Sequence, residues 1–119
     1  MTSKMHQEME KLQDVLKDIQ KYIETHRILL SQLSENENVM QELNYLNDKN
    51  IVFKSIGPVM IKQDLGEAKE IVKNRLEYIN SEKKQVENKI KGLRDKENGL
   101  RESIAVLQSN LQQAPIKSA

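Results

Sequence analysis

Apolar residues recur over the first forty positions in steps of four and three, the spacing of a coiled-coil seam. Two polar residues, His26 and Glu37, interrupt this spacing. A seam of this length without an internal break predicts a coiled-coil helix over residues 1–47. The positions are Met5, Met9, Leu12, Leu16, Ile19, Ile23, His26, Leu30, Leu33, Glu37 and Met40.

A second seam with the same spacing occupies the C-terminal half and predicts a coiled-coil helix over residues 65–113. Two of its positions, Lys83 and Glu97, are charged. Pro115 is expected to end this helix and to leave a tail at residues 114–119. The positions are Val72, Leu76, Ile79, Lys83, Val86, Ile90, Leu93, Glu97, Leu100, Ile104, Leu107, Leu111 and Ala114.

The segment between the two seams has the composition of strands. It follows a polar, turn-favouring cluster at residues 47–50, and Gly57-Pro58 supplies a turn in its middle. We therefore expect a β-hairpin over residues 51–63, with Asp64 capping the second helix. The β-branched, aromatic and other apolar side chains of the hairpin are Ile51, Val52, Phe53, Ile56, Val59, Met60 and Ile61.

These elements predict a mainly α fold, in which one domain at residues 1–119 forms a long antiparallel coiled-coil hairpin with a β-hairpin at its bend. Pairing residues whose numbers add to 116 aligns every layer, for example Leu16 with Leu100. Both faces of the β-hairpin are partly apolar, and a lone hairpin is marginally stable. Its strands are therefore expected to join an inter-subunit sheet or barrel.

Composition limits the functional classes. With 37% hydrophobic, 3% aromatic and 31% charged residues, the chain has too little apolar material for a large globular core. A net charge of +1 argues against binding to nucleic acid or to an anionic membrane. The chain has no cysteine, no apolar run long enough to span a membrane and no secretory signal pattern, so we expect a cytoplasmic protein and leave nuclear residence open.

Catalytic and metal sites have little support in the sequence. His6 and Glu10 lie one helical turn apart, but two ligands on an exposed helix end do not close a metal site. Gly57-Pro58 lacks the further glycines, lysine and hydroxyl of a phosphate-binding loop. The expectation is a protein without catalytic residues, cofactor or metal.

The central segment resembles a known family. The pattern V-F-K-x-x-G-P-V-x-x-K-Q at Val52 to Gln63, preceded by LSENENVMQELNYL at Leu33 to Leu46, resembles the prefoldin β-type subunits. Glu67-Ala68 and the stretch from Arg75 to Ile79 extend the resemblance. It covers the whole helix–hairpin–helix plan, although the arms match only as coiled coil.

The resemblance implies a subunit of a heterohexameric, ATP-independent co-chaperone built from α- and β-type prefoldin subunits. Assembly would use the hairpin residues Ile51, Val52, Phe53, Ile56, Gly57, Pro58, Val59, Met60 and Ile61. The coiled-coil tips would bind non-native proteins such as actin and tubulin and deliver them to a cytosolic chaperonin. The tip residues implied are Met5, Met9, Leu12, Leu107 and Leu111.

Without the family resemblance, the residues alone leave two alternatives open. Methionine at seam positions is more often ordinary packing than a contact for unfolded proteins. The chain could also be a structural coiled-coil adaptor or tether whose hairpin only dimerises it. The hairpin distinguishes these classes, because an adaptor does not require two apolar sheet faces.

Overall fold

The computed structural model describes residues 2–48 and 58–118, and it describes side chains within residues 3–46 and 65–112. These residues form two helices, α1 at Thr2–Asp48 and α2 at Pro58–Ser118. The mainly α fold is therefore confirmed.

The helix α1 ends where the sequence predicts. Its last residue, Asp48, lies in the polar cluster at residues 47–50, whose side chains compete for backbone hydrogen bonds. Within the helix, Thr25 Oγ1 donates to the Lys21 carbonyl at 3.1 Å, and Asn36 Nδ2 donates to the Gln32 carbonyl at 2.8 Å. Such bonds let short polar residues remain inside a long helix.

The β-hairpin is not seen. The residues of the expected second strand, up to Gln63, lie in the first turns of α2, which begins at Pro58 and not at residue 65. Proline suits the first helical position, since its missing N–H would have no partner there. In a single chain a helix satisfies its backbone within the segment, whereas a strand needs a partner. The residues from Ile51 to Gly57 lie outside the described part of the chain.

Two boundary details of α2 also differ from expectation. Asp64 lies inside the helix and does not cap it, because α2 starts six residues earlier. The helix also continues through Pro115 to Ser118, over the expected tail. The fixed φ of proline is compatible with a helix. Pro115 removes one N–H donor close to the C-terminal end of α2, where the last carbonyls have no partner within the helix.

The chain divides into two compact units, and each contains parts of both helices. Unit 1 comprises residues 1–25 and 86–119, and unit 2 comprises residues 26–85. In unit 1, the Lys89 ammonium lies 5.9 Å from the centre of the Tyr22 ring. In unit 2, Arg75 Nη1 donates to Asn36 Oδ1 at 3.5 Å. Higher numbers on α1 meet lower numbers on α2, so the helices are antiparallel.

The seam of α2 is confirmed over its described length. Val72, Ile79, Val86 and Ile104 are buried, and the other expected positions from Leu76 to Leu111 are half-buried, including Lys83 and Glu97. Only Ala114 lies outside the described side chains. Regular burial in steps of three and four follows from the 3.6-residue turn packed against one partner helix.

The expected seam of α1 consists of two columns of residues, each repeating every seven positions. One column is confirmed and the other is wrong. The column Met5, Leu12, Ile19, His26, Leu33 and Met40 faces α2 as expected. The second buried column runs through Glu8, Val15, Tyr22, Leu29, Asn36 and Leu43. Each of its first five members precedes by one residue the expected column of Met9, Leu16, Ile23, Leu30 and Glu37.

The pairing register also differs from the expected one. In two contacts between the helices, Tyr22 with Lys89 and Asn36 with Arg75, the residue numbers add to 111. A sum of 112 places both α1 columns, from Met5 to Met40, opposite seam positions of α2, for example Leu12 opposite Leu100. The expected sum of 116 is therefore four residues away from the observed register.

Candidate functional site

The tip of the molecule is the region where α1 begins and α2 ends. Of the residues expected there, Met5 and Leu12 of α1 and Leu107 of α2 are half-buried seam residues, as is Leu111. Met9 is different, because its side chain is 46% exposed and lies outside the seam. The structure therefore assigns four of the five expected tip residues to packing and leaves one on the surface.

Val106 is an exposed tip residue that the sequence reasoning missed. Its side chain is 60% exposed, between the buried Ile104 and the half-buried Leu107. The signal was present in the composition: no charged residue occurs from Ser103 to Ile116, in a chain that is 31% charged. An apolar side chain on the outward face of an uncharged segment is easy to overlook when only seam positions are counted.

The α1 side of the tip carries the charges. Glu8 occupies a half-buried seam position, and Lys11 Nζ approaches its carboxylate at 3.8 Å. His6 Nε2 lies 3.3 Å from Glu10 Oε1 on the exposed side of the helix. The tip thus combines exposed apolar carbon on both helices with two local pairs of charged or titratable side chains on α1, His6–Glu10 and Lys11–Glu8. Such a surface binds by contact area rather than by a fixed chemical reaction.

The expected assembly residues lie at the other end of the helices. Pro58, Val59, Met60 and Ile61 belong to the first turns of α2. Just before the undescribed segment, α1 carries an open groove of about 620 Å³ with exposed Tyr45 and Leu46. Its lining residues are Asn38, Gln41, Glu42, Tyr45 and Leu46. The end of α1 therefore presents apolar surface next to the segment expected to mediate assembly.

The described residues form no cluster of three or more histidine, cysteine, aspartate or glutamate side chains placed to hold a metal ion. Glu97, a charged member of the α2 seam, is instead partnered by Arg94 and Arg101 of the same helix. Within the described part of the chain, neither helix is both long and apolar enough to cross a membrane.

Comparison with known proteins explains the antiparallel helical hairpin. The family model described as "Prefoldin subunit" matches residues 4–114. The chain belongs to the prefoldin subunit family. Prefoldin subunit 6 of Bos taurus is 40% identical over 116 residues, covering 98% of this chain and 90% of the relative.

Other prefoldins are similarly close. Prefoldin subunit 6 of Arabidopsis thaliana is 42% identical over 98 residues, which cover 82% of this chain and 76% of the relative. Probable prefoldin subunit 6 of Drosophila melanogaster is 38% identical over 111 residues, covering 93% and 89%. No solved structure matches the chain significantly. Membership of the prefoldin family implies a co-chaperone subunit that assembles with other prefoldin subunits.

Proposed function

We propose that this chain is a subunit of a heterohexameric, ATP-independent co-chaperone that binds non-native proteins at the tip. The observation that carries the proposal is the exposure of Met9 and Val106 at the tip, on a surface where α2 has no charge. Actin- and tubulin-like proteins are the proposed clients, and a cytosolic chaperonin is the proposed acceptor. The proposed location is the cytoplasm.

Client capture would rest on flexible apolar contact. Methionine is unbranched and polarizable, so Met9 adapts to differently shaped apolar segments. Val106 adds a rigid apolar contact on the other helix of unit 1. Each fully covered side chain of this size contributes about 1.5–3 kcal/mol, so a few contacts hold a client weakly and reversibly. Release then needs no nucleotide.

The client proposal is tested by substituting the exposed tip residues while leaving the seam intact. We expect M9S/V106S to lower suppression of aggregation of chemically unfolded actin, measured by light scattering with the assembled hexamer. The matched control is I28S/I71S, because Ile28 is 44% and Ile71 55% exposed but both lie in unit 2. Equal suppression by the two double variants would refute client binding at the tip.

Assembly is proposed to use the segment 51–61, with its residues pairing as strands when partner strands are available. In the single chain, residues 58–61 form the first turn of α2, where their carbonyls accept helical hydrogen bonds and their N–H groups have no partner within the helix. Partner strands would supply equivalent bonds and cover the apolar side chains. The groove at Tyr45 and Leu46 supports the proposal, because it exposes two large apolar side chains of α1 shortly before this segment in the sequence.

Native mass spectrometry of the tagged chain, purified gently from its own cells, tests the assembly. A complex of six small helical subunits is expected. A homodimer or a lone chain that suppresses no aggregation would instead support the structural adaptor. Fluorescence microscopy of the tagged chain in the same cells tests the cytoplasmic location, and exclusion from the cytoplasm would refute it.

A further inference from the structure

Two neighbouring columns of α1 could complete its seam beside the column of Met5, Leu12 and Ile19, and only one of the two is packed against α2. The buried column in unit 1 contains Glu8, Val15 and Tyr22. Immediately beside it, Met9 and Ile23 are exposed and Leu16 is half-buried. Both columns repeat every seven residues, which is the spacing that matches a neighbouring helix. The second column is therefore built to face a helical seam, although it does not do so in this structure.

We propose that α2 is the partner of both columns and that α1 and α2, which are continuous through both units, have two pairing registers. In the observed register, residue numbers of facing residues add to about 112. In the second register they add to 116, so that Met9, Leu16 and Ile23 replace Glu8, Val15 and Tyr22. The seam of α2 is the same in both registers.

The side chains that face each other make the two registers nearly equivalent. In unit 1 the observed register has four apolar layers and two layers that contain a carboxylate. The apolar layers are Met5–Leu107, Leu12–Leu100, Ile19–Leu93 and Tyr22–Ile90, and the others are Glu8–Ile104 and Val15–Glu97.

The second register gives five apolar layers and one layer with a carboxylate. Glu8 then leaves the seam, which removes one partly desolvated charge. The apolar layers are Met5–Leu111, Met9–Leu107, Leu12–Ile104, Leu16–Leu100 and Ile23–Leu93, and the remaining layer is Ile19–Glu97.

The movement between registers is small. A four-residue slide of α1 along α2 corresponds to about 6 Å, and a rotation of about 50° exchanges the two columns. Half-buried Leu16 already lies at the edge of the seam. The local pairs Lys11–Glu8 and Arg101–Glu97 are each within one helix and can persist when the helices slide. The contacts of Lys89 with Tyr22 and of Arg75 with Asn36 join the two helices and would have to be exchanged.

The second register has a consequence for the client surface, and this part rests on the proposed function. Met9 would leave the surface and face Leu107. The tip would then lose one of its two exposed apolar contacts, so the second register would hold clients less tightly than the observed one.

Disulfide trapping tests the two registers directly, because the chain contains no cysteine. L12C/L100C reports the observed register and L16C/L100C the second one, while Q20C/L100C is a control that neither register aligns. In a reversible glutathione buffer, we expect both reporter pairs to cross-link several-fold more than the control. Cross-linking of L16C/L100C at the control level would overturn the proposal.

Further substitutions control for unfolding and for non-specific cross-linking. We expect V15Q/Y22Q to raise the L16C/L100C cross-link several-fold and I23Q to lower it, with far-UV circular dichroism confirming helix content in each. If another protein covers the second column instead, I23Q will change complex formation without changing the cross-link, which would overturn the proposal.

The effect of the register on client binding is measured separately, with the assembled hexamer. Oxidised L16C/L100C is expected to suppress client aggregation less than its reduced form, and oxidised L12C/L100C to suppress it fully. Equal suppression by both oxidised forms would refute the effect of the register on client binding. It would not refute the existence of the two registers. Absence of suppression by the unmodified hexamer would instead refute the proposed function.

Discussion

Glu97 is a carboxylate in an otherwise apolar seam. Its side chain is 13% exposed, with Arg101 Nε at 2.9 Å and Arg94 Nη1 at 3.6 Å from its oxygens. Both arginines are on α2 and more than half exposed, so the cluster does not connect the two helices. Partly screened pairs of this kind gain little, while the carboxylate still loses hydration.

Replacement of Glu97 by leucine should therefore stabilise the chain. We expect E97L to raise the free energy of unfolding by about 1 kcal/mol, since leucine packs in the layer and both arginines stay solvated. Urea unfolding followed by far-UV circular dichroism measures the change. The exposed Glu102 provides the control, because E102L should change little. A loss of stability in E97L would show that the cluster outweighs the seam.

The corrected seam of α1 makes a prediction about two isoleucines. Ile19 is buried, whereas Ile23 is exposed in this structure. We expect I19A to cost about 2–4 kcal/mol, because it leaves a cavity in the seam, and I23A to cost less than about 1 kcal/mol. The same urea titration measures both. Equal losses would show that the two columns are buried equally in solution.

At the scale of elements, Gly92 and Gly99 sit in the middle of α2, and a Cβ added to either would meet no atom within 4 Å. Alanine loses less backbone freedom on folding than glycine, so we expect G92A and G99A each to stabilise the chain by about 0.5–1 kcal/mol. Thermal unfolding measures this.

The reverse change supplies the control for the glycines. Ala105 is also exposed on α2, and A105G should destabilise the chain by a similar amount. A destabilising G99A would show that another surface packs closely against that face in solution.

The start of α2 lies within the segment that we propose to pair with partner strands. The first four N–H positions of a helix have no partner within the helix, so amides in residues 59–61 should exchange rapidly in the isolated chain. Strand pairing would protect them. We expect hydrogen exchange of this segment to slow markedly in the hexamer. Unchanged exchange would refute its proposed strand pairing.

At the scale of the whole molecule, the charges of the two parts of the chain differ in sign. Residues 1–50 carry a balance of −3 and residues 51–119 a balance of +4. Two of the contacts between the helices bring cations of α2 to an aromatic ring and to an amide of α1. Attraction between the opposite net charges acts over longer distances and is sensitive to salt.

Salt should accordingly lower stability modestly. We expect the free energy of unfolding of the isolated chain to fall by less than about 1 kcal/mol when sodium chloride is raised from low concentration to about 0.5 M. Thermal unfolding at both concentrations measures the change. A larger loss would indicate direct ion pairs between the helices as a main source of stability.

The sequence by itself determined the two helices, the end of α1, the whole described seam of α2 and the location of the tip. Those features depend on local spacing and on polar clusters such as residues 47–50, which act without reference to a partner. The family resemblance in residues 52–63 was also readable directly, and the match over residues 4–114 agrees with it.

Only the tertiary structure decided which side of α1 faces α2, the pairing register, the exposure of Val106 and the helical start of α2. Columns one residue apart, such as Val15 and Leu16, share the same heptad spacing, so spacing alone cannot choose between them. The choice depends on the side chains of the opposite helix. Residues 58–63 are likewise helical in the single chain, whereas a strand there would satisfy its backbone only across a neighbour.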